Sequence, residues 1–388
     1  MRAGADDPRS AAVAALLDRA VTDGRVHGAA WLVARGDDVV TGTAGEAAPG
    51  RAVRRDTLFR LSSTTKPVVA AAALTLVDDG TLGLDAPVDR WLPELAGRRV
   101  LADPAGPLDA TVPAERPITV RDVLESRIGL GFDFTSEGPD PVLAALAAGG
   151  LHVGPPAPQA DPDPDTWLAV VGGVPLAEQP GTRWRYHLPM QVLGVLVARA
   201  AGAPLPQVLR ARVLDPAGMT RTGFHVPADQ RHRFGRQWAT GPGGDVTVYD
   251  EPDGQWARPP AFPDGGAGLV ATVDDVHAFA RVLRAGGTAD DGTRVLAAGT
   301  VEAMLSPHVG PLGDDGRGAW GLGIGLCRLD MPDGRRAGTY GWDGGLGSTW
   351  WTDPVQDVVA VLLTTDAWTS PEPSPLFQAF WSAAFGGA

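Results

Sequence analysis

Leu61-Ser62-Ser63-Thr64-Thr65-Lys66-Pro67, followed directly by an apolar run over residues 68–77, decides how the rest of this chain is read. Proline is tolerated in a helix only within the first turn, where no intrahelical N–H bond is lost, so Pro67 predicts a helix that cannot begin much before Ser63. Its body is apolar on nearly every side, which predicts burial in the middle of the molecule, and Asp78-Asp79-Gly80 is its expected end. A lysine three residues after a serine on a helix lies one turn up the same face, so Ser63 and Lys66 can touch. A serine hydroxyl is a poor nucleophile until something takes its proton. Lys66 is the one lysine in 388 residues; every other member of the 33 Lys plus Arg is arginine. Arginine cannot give up its proton in a protein and a buried lysine can, so a proton-accepting role is the one place where that replacement fails. The stretch reads as a serine nucleophile with its proton acceptor.

The chain is long enough for a large core, and its 44% hydrophobic and 20% charged composition is that of a folded globular protein. A net charge of −13 opposes binding to nucleic acid or an anionic membrane, either of which needs a basic face. One cysteine, Cys327, excludes an intrachain disulfide and is expected to be a buried, small apolar residue. The longest apolar run is ten residues, far below the roughly 20 needed to cross a bilayer. The start of the sequence carries no basic region followed by an apolar one, and a cytoplasmic location is therefore expected.

Residues 11–21 read as a short amphipathic helix, and residues 27–34 and 38–43 as two strands joined by a hairpin turn at Gly36. From 82 to about 260, helical patterns and loops dominate, with few strand signals: Thr119 caps a helix, and residues 191–201 repeat at helical spacing. Residues 154–165, dense in Pro and Asp, are expected to form an extended acidic loop; the prolines and the missing distal Glu argue against calcium. Beyond 260 come a Gly-rich turn at 265–268 and an amphipathic helix from Val273. Strands are expected at 320–329, 336–342, 347–352 and 358–364, and a helix from about Pro375. The fold class is α+β: residues 1–81 and 261–388 form an antiparallel sheet flanked by helices, and residues 82–260 are an inserted, mainly helical region.

Two further stretches carry candidate chemistry. Tyr186, in Arg185-Tyr186-His187-Leu188, is by residue type either a structural tyrosine or, beside a lysine ammonium, a base of lowered pKa. In the run from Gly341 through Trp342, Asp343, Gly344 and Gly345 to Trp351, the glycines mark either close approach of a ligand, with free N–H groups for an oxyanion, or a bulged strand. Trp342, Trp350 and Trp351 offer an apolar or aromatic acyl pocket, with one or two of them assignable to the core. The seven histidines form no HExxH or paired ligand motif, GxSxG is absent, and the Gly cluster at 265–268 lacks a Walker lysine, so no metal or cofactor is called for.

Together, Ser63-Thr-Thr-Lys66 within Phe59-Arg-Leu-Ser-Ser-Thr-Thr-Lys, then Gly80-Thr-Leu-Gly-Leu-Asp-Ala-Pro-Val, Tyr186-His-Leu188, Gly265-Gly-Ala-Gly-Leu and Trp342-Asp-Gly-Gly345 resemble, in order, the serine β-lactamase and penicillin-binding-protein superfamily. The chain looks most like the class C branch, in particular the family VIII carboxylesterases, from about Val26 to Trp381. The resemblance implies a β-lactamase/transpeptidase-like fold. It also implies Ser63 as acylated nucleophile, Lys66 as its proton partner, Tyr186 as a phenolate-like base, and the N–H groups of Ser63 and Gly345 as an oxyanion hole. Two positions depart from the pattern. Leu188 replaces the amide of Tyr-x-Asn, and Trp342-Asp343-Gly344 replaces the Lys-Thr-Gly or His-Thr-Gly element, so that a substrate carboxylate is expected to meet Asp343. The expected activity is that of a serine carboxylesterase acting on a small-molecule ester. The alternatives are an acyltransferase or peptide cyclase using the same acyl-enzyme, a weak β-lactamase or D-peptidase, and a catalytically silent binding protein on this fold.

Overall fold

A computed structural model describes residues 8–135, 138–241, 243–313, 315–368 and 374–387. Its centre is a nine-stranded antiparallel sheet whose strands come from both ends of the chain. In chain order they are β1 (Gly28–Arg35), β2 (Asp38–Ala48), β3 (Arg51–Ala52), β4 (Val309–Leu312), β5 (Gly318–Trp320), β6 (Gly325–Cys327), β7 (Tyr340–Gly344), β8 (Ser348–Asp353) and β9 (Val358–Thr364), laid side by side as β4-β5-β6-β7-β8-β9-β1-β2-β3. The chain ends meet where β9 pairs with β1, Ala29 opposite Thr364 through Arg35 opposite Val358.

Strand β1 is apolar at successive positions because both faces of the sheet are covered. Ala29, Trp31 and Val33 pack with α1 (Pro8–Thr22) and α5 (Pro375–Phe385), while Ala30, Leu32 and Ala34 belong to the main core on the other face. That main core takes in α2 (Thr65–Asp78), α3 (Leu188–Ala201) and α4 (Val273–Arg284). Twelve of the fourteen residues of α2 are buried, as its apolar sequence requires, and Gly80 follows its end at φ 78°. Thr119 closes a capping box with Asp122 on the helix Val120–Leu124, and Cys327 is buried at the end of β6.

Two expectations need correction. Residues 320–329 are not one strand: β5 and β6 turn back on each other about Gly323, which is at φ 79°. The acidic loop ends early, because Asp163 accepts from the N–H groups of Asp165 and Thr166 and so caps a helix, Pro164–Gly173. Within 82–260 there are two hairpins, Arg99–Leu101 with Thr111–Pro113 and Gln237–Thr240 with Val246–Asp250. Among the described residues no single helix is long and apolar enough to cross a membrane.

The second hairpin supplies Asp250, which bonds the fully buried Arg60 just upstream of the nucleophile, between the rings of Phe234 (4.0 Å) and Trp256 (5.1 Å). Removing one member of such a pair leaves the other charge buried and unpaired. Asp250→Ala is therefore expected to lower folding stability by about 3–5 kcal/mol in denaturant titration, whereas an exposed pair such as Arg25–Asp23 contributes at most about 1 kcal/mol.

Candidate active site

The short strand Phe59–Arg60 pairs with Val270–Ala271, and the chain then enters a 3-10 turn, Ser62–Thr64, that runs into α2. Ser62 is held at φ 44°, a left-handed conformation that costs a non-glycine residue energy and must be imposed by its surroundings. The imposing contacts come from β8 and the Gly-rich turn. Ser348 Oγ donates to Leu61 O (2.6 Å) and lies 2.7 Å from Thr64 Oγ1, and Thr65 Oγ1 accepts from Leu269 N–H at 3.1 Å.

The turn places Ser63, 7% exposed, against Lys66, which is 0% exposed. Lys66 Nζ lies 2.8 Å from Ser63 Oγ, 2.8 Å from Gly266 O and 3.2 Å from His187 Nδ1, with the Tyr186 ring centroid at 4.4 Å. None of these contacts is a carboxylate. Burial therefore dominates and drives the Lys66 pKa down to about 7, the Asp264 carboxylate opposing it from farther away. An amine in that range has its lone pair available near neutrality.

Tyr186 is brought to the same point. Its backbone pairs with Phe132 (2.8 and 2.9 Å), and the buried Arg185 before it is fixed by Glu178 and Asp140, each at 2.8 Å. The Tyr186 hydroxyl is hydrogen-bonded with Ser63 and accepts from Trp342 Nε1 at 2.7 Å. The expectation of a phenolate is corrected here: the lysine faces the ring rather than the oxygen, and burial pushes the phenol far above its ordinary pKa. At rest Tyr186 is a phenol beside Ser63.

Strand alternation divides the Trp342–Gly345 stretch. Trp342 and Gly344 face the nucleophile. Asp343 points the other way, accepting from Thr349 Oγ1 (2.5 Å) and Trp351 Nε1 (2.9 Å) beneath α5, where desolvation raises its carboxyl to about 6. The expectation that a substrate carboxylate meets Asp343 is thus overturned. Trp350 and Trp351 are core residues on opposite faces, so of the three tryptophans only Trp342 borders the site, joined there by Trp184 (ring centroid 5.4 Å from that of Tyr186) and the exposed Phe134 (5.5 Å). Leu188 opens α3 and is packed in the main core.

Ser63 N–H lies in the first turn, where amides have no intrahelical acceptor, and Gly345 N–H follows the last residue of β7. Among the described residues neither donates a backbone hydrogen bond, and Trp368 N–H fixes Gly345 through its carbonyl at 2.8 Å. Gly344 lets the two segments meet: a Cβ there would lie 2.2 Å from Leu61 O, 2.4 Å from Ser348 Oγ and 3.2 Å from Ser63 N. Gly344→Ala is expected to spread β7 from the nucleophile turn and lower kcat by about 100-fold while circular dichroism stays native, since a displacement near 1 Å has an effect of that order.

His187 was not among the residues singled out in the sequence. It stands at φ 73° before α3, with Nδ1 toward Lys66 and Nε2 3.8 Å from Asp264 Oδ2. Burial and the neighbouring Lys66 hold its pKa well below the usual histidine range, so the ring is neutral.

Comparison with known proteins agrees with this arrangement. A model of the Beta-lactamase family matches residues 13–378. An uncharacterized protein of Mycobacterium tuberculosis is 39% identical over 331 residues, 81% of this chain and 79% of its own length. Esterase EstB of Burkholderia gladioli is 34% identical over 378 residues, covering 91% of this chain and 90% of its own. Among solved structures, EstCE1, described as a hydrolase with promiscuous acyltransferase activity, superposes with a TM-score of 0.80 at 26% identity over 98% of this chain and 100% of its own. The family match takes in the sheet, the Ser63 helix and the Trp342 strand together, and by sequence and by fold the chain belongs to the Beta-lactamase family.

Proposed function

We propose that this chain is a serine esterase that acts through an acyl-enzyme on Ser63. The observation that carries the reading is the fully buried Lys66, 2.8 Å from Ser63 Oγ and touching no carboxylate, which makes it a proton acceptor near neutral pH. As Ser63 Oγ attacks an ester carbonyl, its proton passes to Lys66 Nζ. The oxyanion is received by the Ser63 and Gly345 N–H groups. Lys66 then passes that proton to the departing alkoxide, which the Tyr186 phenol hydrogen-bonds as it leaves. Water, giving up a proton to the same groups, then attacks the acyl-enzyme, and the acid leaves as Ser63 is re-protonated.

The rim supports an uncharged, apolar ester. Phe134 is 57% exposed beside Tyr186, Trp342 and Trp184 line the approach, and neither a cation at 342 nor an amide at 188 is present for a carboxylate or acylamino group. A second reading, transfer of the acyl group to an alcohol or amine, is favoured by the same aromatic rim, which limits water, and by the acyltransferase activity in the description of EstCE1. Product analysis with a short p-nitrophenyl ester, with and without added alcohol, separates the two: hydrolysis yields only free acid, and transfer yields a new ester. Release of p-nitrophenol no faster than in buffer would sink both.

A further inference from the structure

Beside His187, which contacts Lys66, lies a cavity lined by His187, Gln191 and Asp264, with His152 and Asp161 also on its wall. The acyl-transfer steps above use none of these side chains, yet one carboxylate among them touches both of the other groups that hold Lys66. Asp264 Oδ1 accepts from Gly266 N–H at 2.6 Å, orienting the residue whose carbonyl accepts from Lys66. Its Oδ2 lies 3.8 Å from His187 Nε2, on the far side of the ring whose Nδ1 is 3.2 Å from Lys66. A buried ammonium ordinarily has a carboxylate in contact. Here the carboxylate is set one group back, behind an imidazole and a peptide. His187 reaches this place only by taking a backbone conformation, φ 73° and ψ −66°, that is unfavourable for histidine.

We propose that His187 and Asp264 are positioning residues for Lys66: they hold its amine on Ser63 and, by keeping the negative charge one step removed, set the pH above which it can take the Ser63 proton. The inference rests on the reading of Lys66 as the proton acceptor. The groups facing Lys66 are Ser63 from its own helix, Tyr186 and His187 from the segment entering α3, and Asp264 beyond the Gly266 carbonyl, with Asp161 and His152 behind Asp264. His187 must stay neutral with its proton on Nε2, toward Asp264, so that Nδ1 can accept from Lys66. A carboxylate at His187's place would keep Lys66 protonated through neutrality, and a small apolar residue would leave the amine without its third acceptor.

Because the chain has a single lysine, 15N-lysine labelling gives one side-chain signal, and its titration needs no substrate. The same variants are assayed for the acid limb of kcat/KM with a p-nitrophenyl ester. Asp264→Asn keeps an acceptor for Gly266 N–H and removes the charge that raises Lys66, so the Nζ midpoint and the acid limb are expected to fall together by about one pH unit. His187→Asp puts a carboxylate against Nζ and raises both by about one unit or more. His187→Ala lowers kcat more than it changes KM, and His187→Asn, which tolerates positive φ and keeps an acceptor, recovers most of the loss. An Nζ midpoint unmoved by both charge variants overturns the proposal. A midpoint that moves as stated, in a wild-type protein that turns over no ester, upholds this inference and removes the esterase reading instead.

Discussion

Ser63→Ala lowers kcat for a p-nitrophenyl ester by about 10^4-fold or more, while the protein stays folded and still binds the ester. The size follows from the division of labour at the site. The Ser63 and Gly345 amides and the aromatic rim remain in the variant, and they still bind and polarise a carbonyl. What disappears is, among the described residues, the only hydroxyl that lies 2.8 Å from the Lys66 amine and is hydrogen-bonded with the Tyr186 phenol. The other hydroxyls near the turn do not replace it, since Thr64 and Thr65 are engaged with Ser348 and the Leu269 amide. Loss of only a few-fold would mean that water, not Ser63, attacks the ester.

Lys66→Arg is the second large effect, about 10^2- to 10^4-fold in kcat, and it separates charge from proton exchange. Arginine preserves the cation but stays protonated throughout the working pH range. The wild-type rate is expected to rise with pH through the Lys66 pKa, near 7, because the protonated amine cannot accept from Ser63 and the neutral one can. Arginine removes that limb altogether. A Lys66→Arg enzyme with wild-type rate and an unchanged acid limb would assign the base elsewhere.

The Ser63–Lys66 pair was legible in the sequence because both residues lie on one helical turn and because the lysine is unique in an arginine-rich chain. The terminal contributions to the sheet were legible from apolar runs such as residues 358–364, which is β9. The hairpin Gln237–Thr240 with Val246–Asp250 was not, since Val246, Thr247 and Val248 are all exposed and the strand has no alternating buried face to announce it. Asp343 lies away from the site because on a strand it must point opposite to Trp342. His187 had no local signal. Its partners are Lys66, 121 residues earlier, and Asp264, which only the packing of α3 against the Gly265 turn brings near. Tyr186 was legible by type but not in its protonation state, because the sequence does not show that the lysine meets its ring face and that burial outweighs the ammonium.

The most direct test is intact-mass and peptide analysis of the protein quenched during the first turnovers of a p-nitrophenyl ester. The account predicts a gain of one acyl group, located on Ser63 and absent from Ser63→Ala, formed with a burst of p-nitrophenol equal to the enzyme present. Turnover with no covalent species, or an acyl group on any other residue, would contradict it.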